Sequence, residues 1–95
     1  MVQIVWTQQA RNDLEDIFLF ISRDSDYYAQ QWAKQVLDKV DLLVSFPKLG
    51  RVVPEKDDKS IRELVIGKYR LIYALDDDVV YLLTLRHGAM LLDDL

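Results

Sequence analysis

Ile61-Arg62-Glu63-Leu64-Val65-Ile66-Gly67-Lys68-Tyr69-Arg70-Leu71-Ile72-Tyr73-Ala74-Leu75-Asp76-Asp77-Asp78-Val79-Val80-Tyr81-Leu82-Leu83-Thr84-Leu85-Arg86 is the stretch whose reading decides the fold. Its β-branched and aromatic runs predict three consecutive strands. Gly67-Lys68 separates the first two, and Gly at the first central position suits a two-residue type II′ hairpin. Asp76-Asp77-Asp78 predicts a three-residue polar turn into the third strand, a job that explains the acidic run better than a divalent-metal site does.

In the simplest register, side chains alternate between two faces of this meander. One face takes Leu64, Ile66, Tyr69, Leu71, Tyr73, Tyr81, Leu83 and Leu85, with Arg62 at its end. This face is apolar and needs a cover; its tyrosines read as core rather than as a base-stacking platform. The other takes Ile61, Glu63, Val65, Arg70, Ile72, Ala74, Val80, Leu82, Thr84 and Arg86. There Glu63, Arg70, Thr84 and Arg86 converge at one end, with both guanidinium groups pointing outward from an uncovered surface. A bulge near the polar turn would shift the third strand by one position.

The cover comes from upstream. Val2 to Trp6 predicts a short opening strand, and Thr7 is a candidate N-cap. Ala10, Leu14, Ile17, Phe18 and Ile21 then form a helical stripe, with Asp13, Glu15 and Asp16 placed near the start of that helix to suit its dipole. Arg23-Asp24-Ser25-Asp26 breaks the pattern and caps a second helix. Ala29, Trp32, Ala33, Val36, Leu37, Val40, Leu43 and Val44 form its stripe, and Pro47 ends it near Ser45. Pro47 to Ser60 reads as a long loop. The expected fold is α+β: an N-terminal strand, an antiparallel helical hairpin, then a three-stranded antiparallel meander packed on the helices.

Ninety-five residues support one domain, 1–95. With no cysteine and a single histidine, His87, a zinc site is excluded, and no cofactor is expected. No secretory signal and no apolar run of ~20 residues is visible, so a cytoplasmic protein without a membrane partner is the expectation. The net charge of −4 argues against indiscriminate attraction to nucleic acid. From Lys48 to Arg70, however, seven basic residues face four acidic ones, a local balance of +3.

Several pieces taken together resemble the RelE/ParE superfamily of bacterial toxins. They are Trp6 with Ala10, Asp13-Leu14 and Ile17; Phe46-Pro47-Lys48-Leu49-Gly50-Arg51-Val52-Val53-Pro54-Glu55; Arg62-Glu63-Leu64; Tyr69-Arg70-Leu71-Ile72-Tyr73; and Arg86-His87-Gly88. Their order spans nearly the whole chain and is closest to the ParE side. The resemblance implies a plasmid-stabilisation type toxin of a type II toxin–antitoxin pair, neutralised by a cognate antitoxin. ParE-like members poison DNA gyrase, whereas RelE-like members cleave messenger RNA on the ribosome. The nuclease pattern has lysines on the strand before the Tyr-Arg pair and an arginine and a tyrosine near the C-terminus. Here Ile61 and Glu63 occupy that strand, Ala89 and Met90 follow His87-Gly88, and no tyrosine follows Tyr81.

Three readings follow. A gyrase inhibitor would bind its partner through Arg70, Arg86, Arg62 and Arg51. A ribonuclease would use Arg70 and Arg86 on the phosphate and Glu63 or His87 as acid or base. A non-toxic interaction module on the same fold is the third. Glu63 and Arg70 also face each other diagonally across the hairpin, so a structural ion pair is the favoured expectation for them, and it does not exclude a functional role.

Overall fold

The computed structural model describes residues 1–92 and 94–95. Seven elements follow in order: β1 (Gln3–Trp6), α1 (Gln8–Ser22), α2 (Asp26–Ser45), β2 (Arg51–Val52), β3 (Ile61–Ile66), β4 (Tyr69–Asp76) and β5 (Val79–His87). The α+β expectation holds, with the meander extended at both edges into a five-stranded sheet of order β1-β5-β4-β3-β2. β1 lies parallel to β5, because the helical hairpin carries the chain across one face between them, while the remaining pairs are antiparallel.

Local chemistry sets the helix limits. The Thr7 hydroxyl accepts from Ala10 N and donates to Leu82 O at 2.6 Å, so one side chain caps α1 and ties it to β5. Ser25 caps α2 by accepting from Tyr28 N, and α2 stops at Ser45, two residues before Pro47. The first turn of α1 contains no acid, so the expected dipole role for Asp13, Glu15 and Asp16 is not what places them.

The helices cover one sheet face as expected. Ala10, Trp32, Val36, Val40 and Leu43 pack on Leu64, Ile66, Leu71, Tyr73 and Leu85, with Leu14, Ile17, Phe18 and Ile21 around them. Each fully buried aliphatic side chain there contributes roughly 2 kcal/mol. Leu37, expected in the stripe, instead lies about half exposed on the outer side of α2.

Two register details differ from the simplest reading. The distal turn is shorter: Asp76 pairs with Val79, and Asp77 takes the left-handed conformation at φ 51°. This places Val80 and Leu82, not Tyr81 and Leu83, on the helix face beside Tyr73 and Leu75. A bulge between Ile72 and Tyr73 then shifts the pairing again, so Leu71 meets Leu85 and Arg70 meets Arg86. The second shift cancels the first, and Thr84 and Arg86 return to the expected face. The Gly67-Lys68 turn is as read, with φ +62° at Gly67 and pairing of Ile66 with Tyr69.

The long loop is partly structured. β2 pairs Arg51 with Glu63 and Val52 with Arg62. The Tyr73 hydroxyl, reaching from the core, donates to Pro47 O at 2.8 Å and accepts from Gly50 N at 2.9 Å. Arg62 adds a bond from Nη1 to Gly50 O at 2.8 Å. A Cβ on Gly50 would sit 2.5 Å from Glu63 O and 2.8 Å from the Tyr73 ring, so only glycine admits this approach. Gly50→Ala should therefore cost about 1–3 kcal/mol, lowering the melting temperature by at least about 4 °C; calorimetry against wild type checks it.

Candidate functional site

The helix-free face of the sheet is not bare. Residues after β2 and after β5 fold across it, and Val53, Ile72 and Leu92 are all fully buried in a second small core, with Ile61 and Leu83 packed around them. The two guanidinium groups share this face on adjacent strands as expected, but they do not project freely.

Glu63 is the most deeply buried charged group among the described residues, at 2% exposure. Its Oε1 accepts from Arg70 Nη1 at 2.9 Å, and its Oε2 accepts from Arg51 Nε at 2.6 Å. Arg51 reaches it from β2, and Arg70 reaches it diagonally from β4. Arg70 is itself 6% exposed. It donates to both oxygens of Glu55, at 3.1 and 2.6 Å, and to Met90 O. The hydrogen bonds Arg70 donates to Glu55 and Glu63 raise its pKa against the effect of burial, keeping the group charged.

Arg86 stands beside Arg70, and two like charges directly opposite would repel. Arg86 is matched separately: Nη1 and Nη2 donate to the two Asp94 oxygens at 2.6 and 2.8 Å, and Nη1 reaches Leu91 O at 3.3 Å. The side-chain hydrogen bond to Asp94 raises the Arg86 pKa, and the same bond lowers that of Asp94. The bond from Arg70 likewise lowers Glu55. Three guanidinium groups, Arg51, Arg70 and Arg86, thus face three carboxylates, Glu55, Glu63 and Asp94.

The bulge has its own partner. Asp13 Oδ2 accepts from Thr84 Oγ1 at 2.5 Å and from Leu85 N at 3.1 Å, just where the ladder is interrupted. Leu85 N lies two residues beyond Leu83, the residue left without a partner at the shift, and α1 supplies its acceptor.

The sequence-predicted residues fall into three places. Arg70, Arg86, Glu63 and Arg51 come together. Arg62 does not, because its guanidinium holds the Gly50 loop on the helix side. His87 closes β5 at the edge of the site, with Nδ1 accepting from Ala89 N and its ring edge-on to Tyr69 at 5.7 Å. It touches none of the three carboxylates or their arginines through a hydrogen bond among the described residues. Glu55, Asp13 and Asp94 were missed; their acidic character was visible, but loop and tail positions carry no periodicity to assign a face. Among the described residues no group of three or more His, Asp and Glu side chains is placed to hold a metal ion. No helix among them is long and apolar enough to cross a membrane.

Comparison with known proteins places this architecture. The chain resembles the toxin of the chromosomal ParDE system from P. aeruginosa with a TM-score of 0.73, at 17% identity over 92% of this chain and 96% of that one. The RelBE2 toxin–antitoxin complex from Mycobacterium tuberculosis matches with a TM-score of 0.53, at 24% identity over 90% of this chain and 96% of that one. The fold is therefore the one these two structures share. The family described as ParE toxin of type II toxin–antitoxin system, parDE, matches residues 4–92. Toxin RelE2 of Caulobacter vibrioides is 34% identical over 92 residues, covering 96% of this chain and all of that protein. The chain belongs to the ParE toxin family.

Two predictions follow from the charge pairing. Arg70→Met leaves Glu63 buried with one partner and should cost about 3 kcal/mol, whereas Arg70→Met with Glu63→Leu should recover most of it; urea denaturation measures both. Glu55 and Asp94 have depressed pKa values, so their bonds to the arginines are fully present above the ordinary values of 4.5 and 3.8 and are lost as the pH falls below them. Acid titration followed by NMR should show the Leu92 methyls and the Arg86 Nε–H shifting together in that window.

Proposed function

We propose that this toxin acts by binding DNA gyrase and blocking it, not by cutting messenger RNA, and that a cognate antitoxin silences it in the cytoplasm. The observation that carries this reading is the state of Glu63. A general base must reach the proton it removes, and Glu63 is buried between Arg51 and Arg70 with each of its oxygens accepting from one of them. His87, the other residue read as a candidate acid or base, stands at the rim with Nδ1 accepting from Ala89 N. Arg51 and Arg70 thus hold Glu63 as an ion-pair partner instead of leaving it free for proton transfer.

An antitoxin is supported by the matching RelBE2 structure, which is a toxin–antitoxin complex. The surface offered for it lies at the helical hairpin. Phe20 and Tyr28, both largely exposed, flank an open groove of about 530 Å³ that also involves Trp32 and Tyr69. Exposed aromatics around a groove suit the apolar side of an amphipathic segment.

Purified toxin added to a gyrase supercoiling assay should inhibit the reaction at near-stoichiometric ratios. Unaffected supercoiling together with ribosome-dependent transcript cleavage would replace this reading with that of an endoribonuclease using Arg70, Arg86 and His87; Arg70→Ala should then abolish cleavage. For the antitoxin, Tyr28→Glu should weaken the co-purified complex at least about tenfold, measured by calorimetric titration.

A further inference from the structure

The helix-free face already holds a peptide, namely the segment that follows β5. Its grip is side chain by side chain. Met90 O meets Arg70 Nη2, Leu91 O meets Arg86 Nη1, and the Asp94 carboxylate takes both Arg86 nitrogens in a fork. Between these, Leu92 is fully buried against Val53 and Ile72. Lys56 Nζ reaches Leu95 O at 2.7 Å.

Among the described residues the segment makes few backbone bonds of its own. Its backbone is tied by Met90 N to His87 O and, at 3.4 Å, by Leu95 N to Leu92 O. A stretch fixed by the surface beneath it, rather than by a ladder or helix, belongs to the least stable part of a fold. Glu63, by contrast, sits within β3 and stays with Arg70 whether or not the segment is present. When the segment lifts, Arg86 loses its carboxylate partner, Arg70 loses a carbonyl, and the Leu92 pocket opens. Arg70 Nε is already buried without an acceptor among the described residues, so the site has donor capacity left over.

We infer that this face is a recognition groove for an acidic peptide, that the chain's own residues 89–92 and 94–95 fill it in cis, and that a partner segment with leucine two residues before an aspartate competes for it. The apolar pocket distinguishes such a peptide from a bare phosphate: the groove pairs a forked arginine with a leucine-sized hole about two residues away. A cis occupant lowers the apparent affinity of any competitor by the fraction of time the groove stands open. The inference does not depend on gyrase being the target, and its test uses no gyrase.

The probe is a fluorescent peptide, Gly-Ala-Met-Leu-Leu-Asp-Asp-Leu, the sequence of residues 88–95, titrated by anisotropy into full-length protein. The variant Leu92→Ser with Asp94→Asn should bind it at least about tenfold more tightly than wild type. Asp94→Asn alone, at a carboxylate 62% exposed, leaves the core intact and should gain about threefold. Adding Arg86→Gln to either variant should remove the gain. Equal affinity for wild type and Asp94→Asn, or a gain that survives Arg86→Gln, would overturn the inference. So would a short DNA or RNA strand that binds the opened variants while the peptide does not.

Discussion

A single carboxylate buried in a sheet constrains more of this molecule than any apolar contact does. Glu63 lies beneath the surface of β3, and an uncompensated charge there would cost several kcal/mol. Each oxygen has therefore drawn an arginine, one from β2 and one from β4. The consequence spreads outward. Arg51 must lie against β3, which fixes where the chain leaves α2 and why two residues suffice for β2. Arg70, held in place, stands opposite Arg86, and that adjacency calls for Asp94 and the carbonyls of the final segment. One buried charge thus dictates the layout of a whole face.

The two faces of the sheet are built on different physics and meet at Tyr73. On the helix side, area removed from water dominates, and Tyr73 is fully buried there. Its hydroxyl nevertheless ends at Pro47 O and Gly50 N, so the core directly anchors the loop that carries Arg51. Arg62 works on the same loop. Arg62 has a positioning task in this loop, and the polar site is anchored to the apolar layer behind it.

The hydrophobic periodicity made most of the fold legible. Both helices, their caps at Thr7 and Ser25, and the Gly67 hairpin follow from spacing and turn chemistry. The convergence of Glu63, Arg70, Thr84 and Arg86 was legible for the same reason. What could not be read were features set by tertiary contact. A two-residue strand has no period, and neither the extra residue at Leu83 nor the bond from Leu85 N to Asp13 leaves a mark in the spacing. Glu55 and Asp94 lie in irregular segments, where an acidic side chain looks solvated until the chain folds back. The covering of the polar face was hidden because Leu92 and Val53 sit apart in sequence and only the folded chain joins them.

The bulge has a consequence for how this family of chains can vary. It lies between the distal Asp77-Asp78 turn and Arg86, so it acts as a phase corrector along β5. A residue gained or lost at the turn inverts the facing of Val80 to Leu82, yet the slack near Leu83 can restore parity before Arg86 is reached. In this chain the short tip and the extra residue at Leu83 offset each other, and the paired arginines at the base keep a common face.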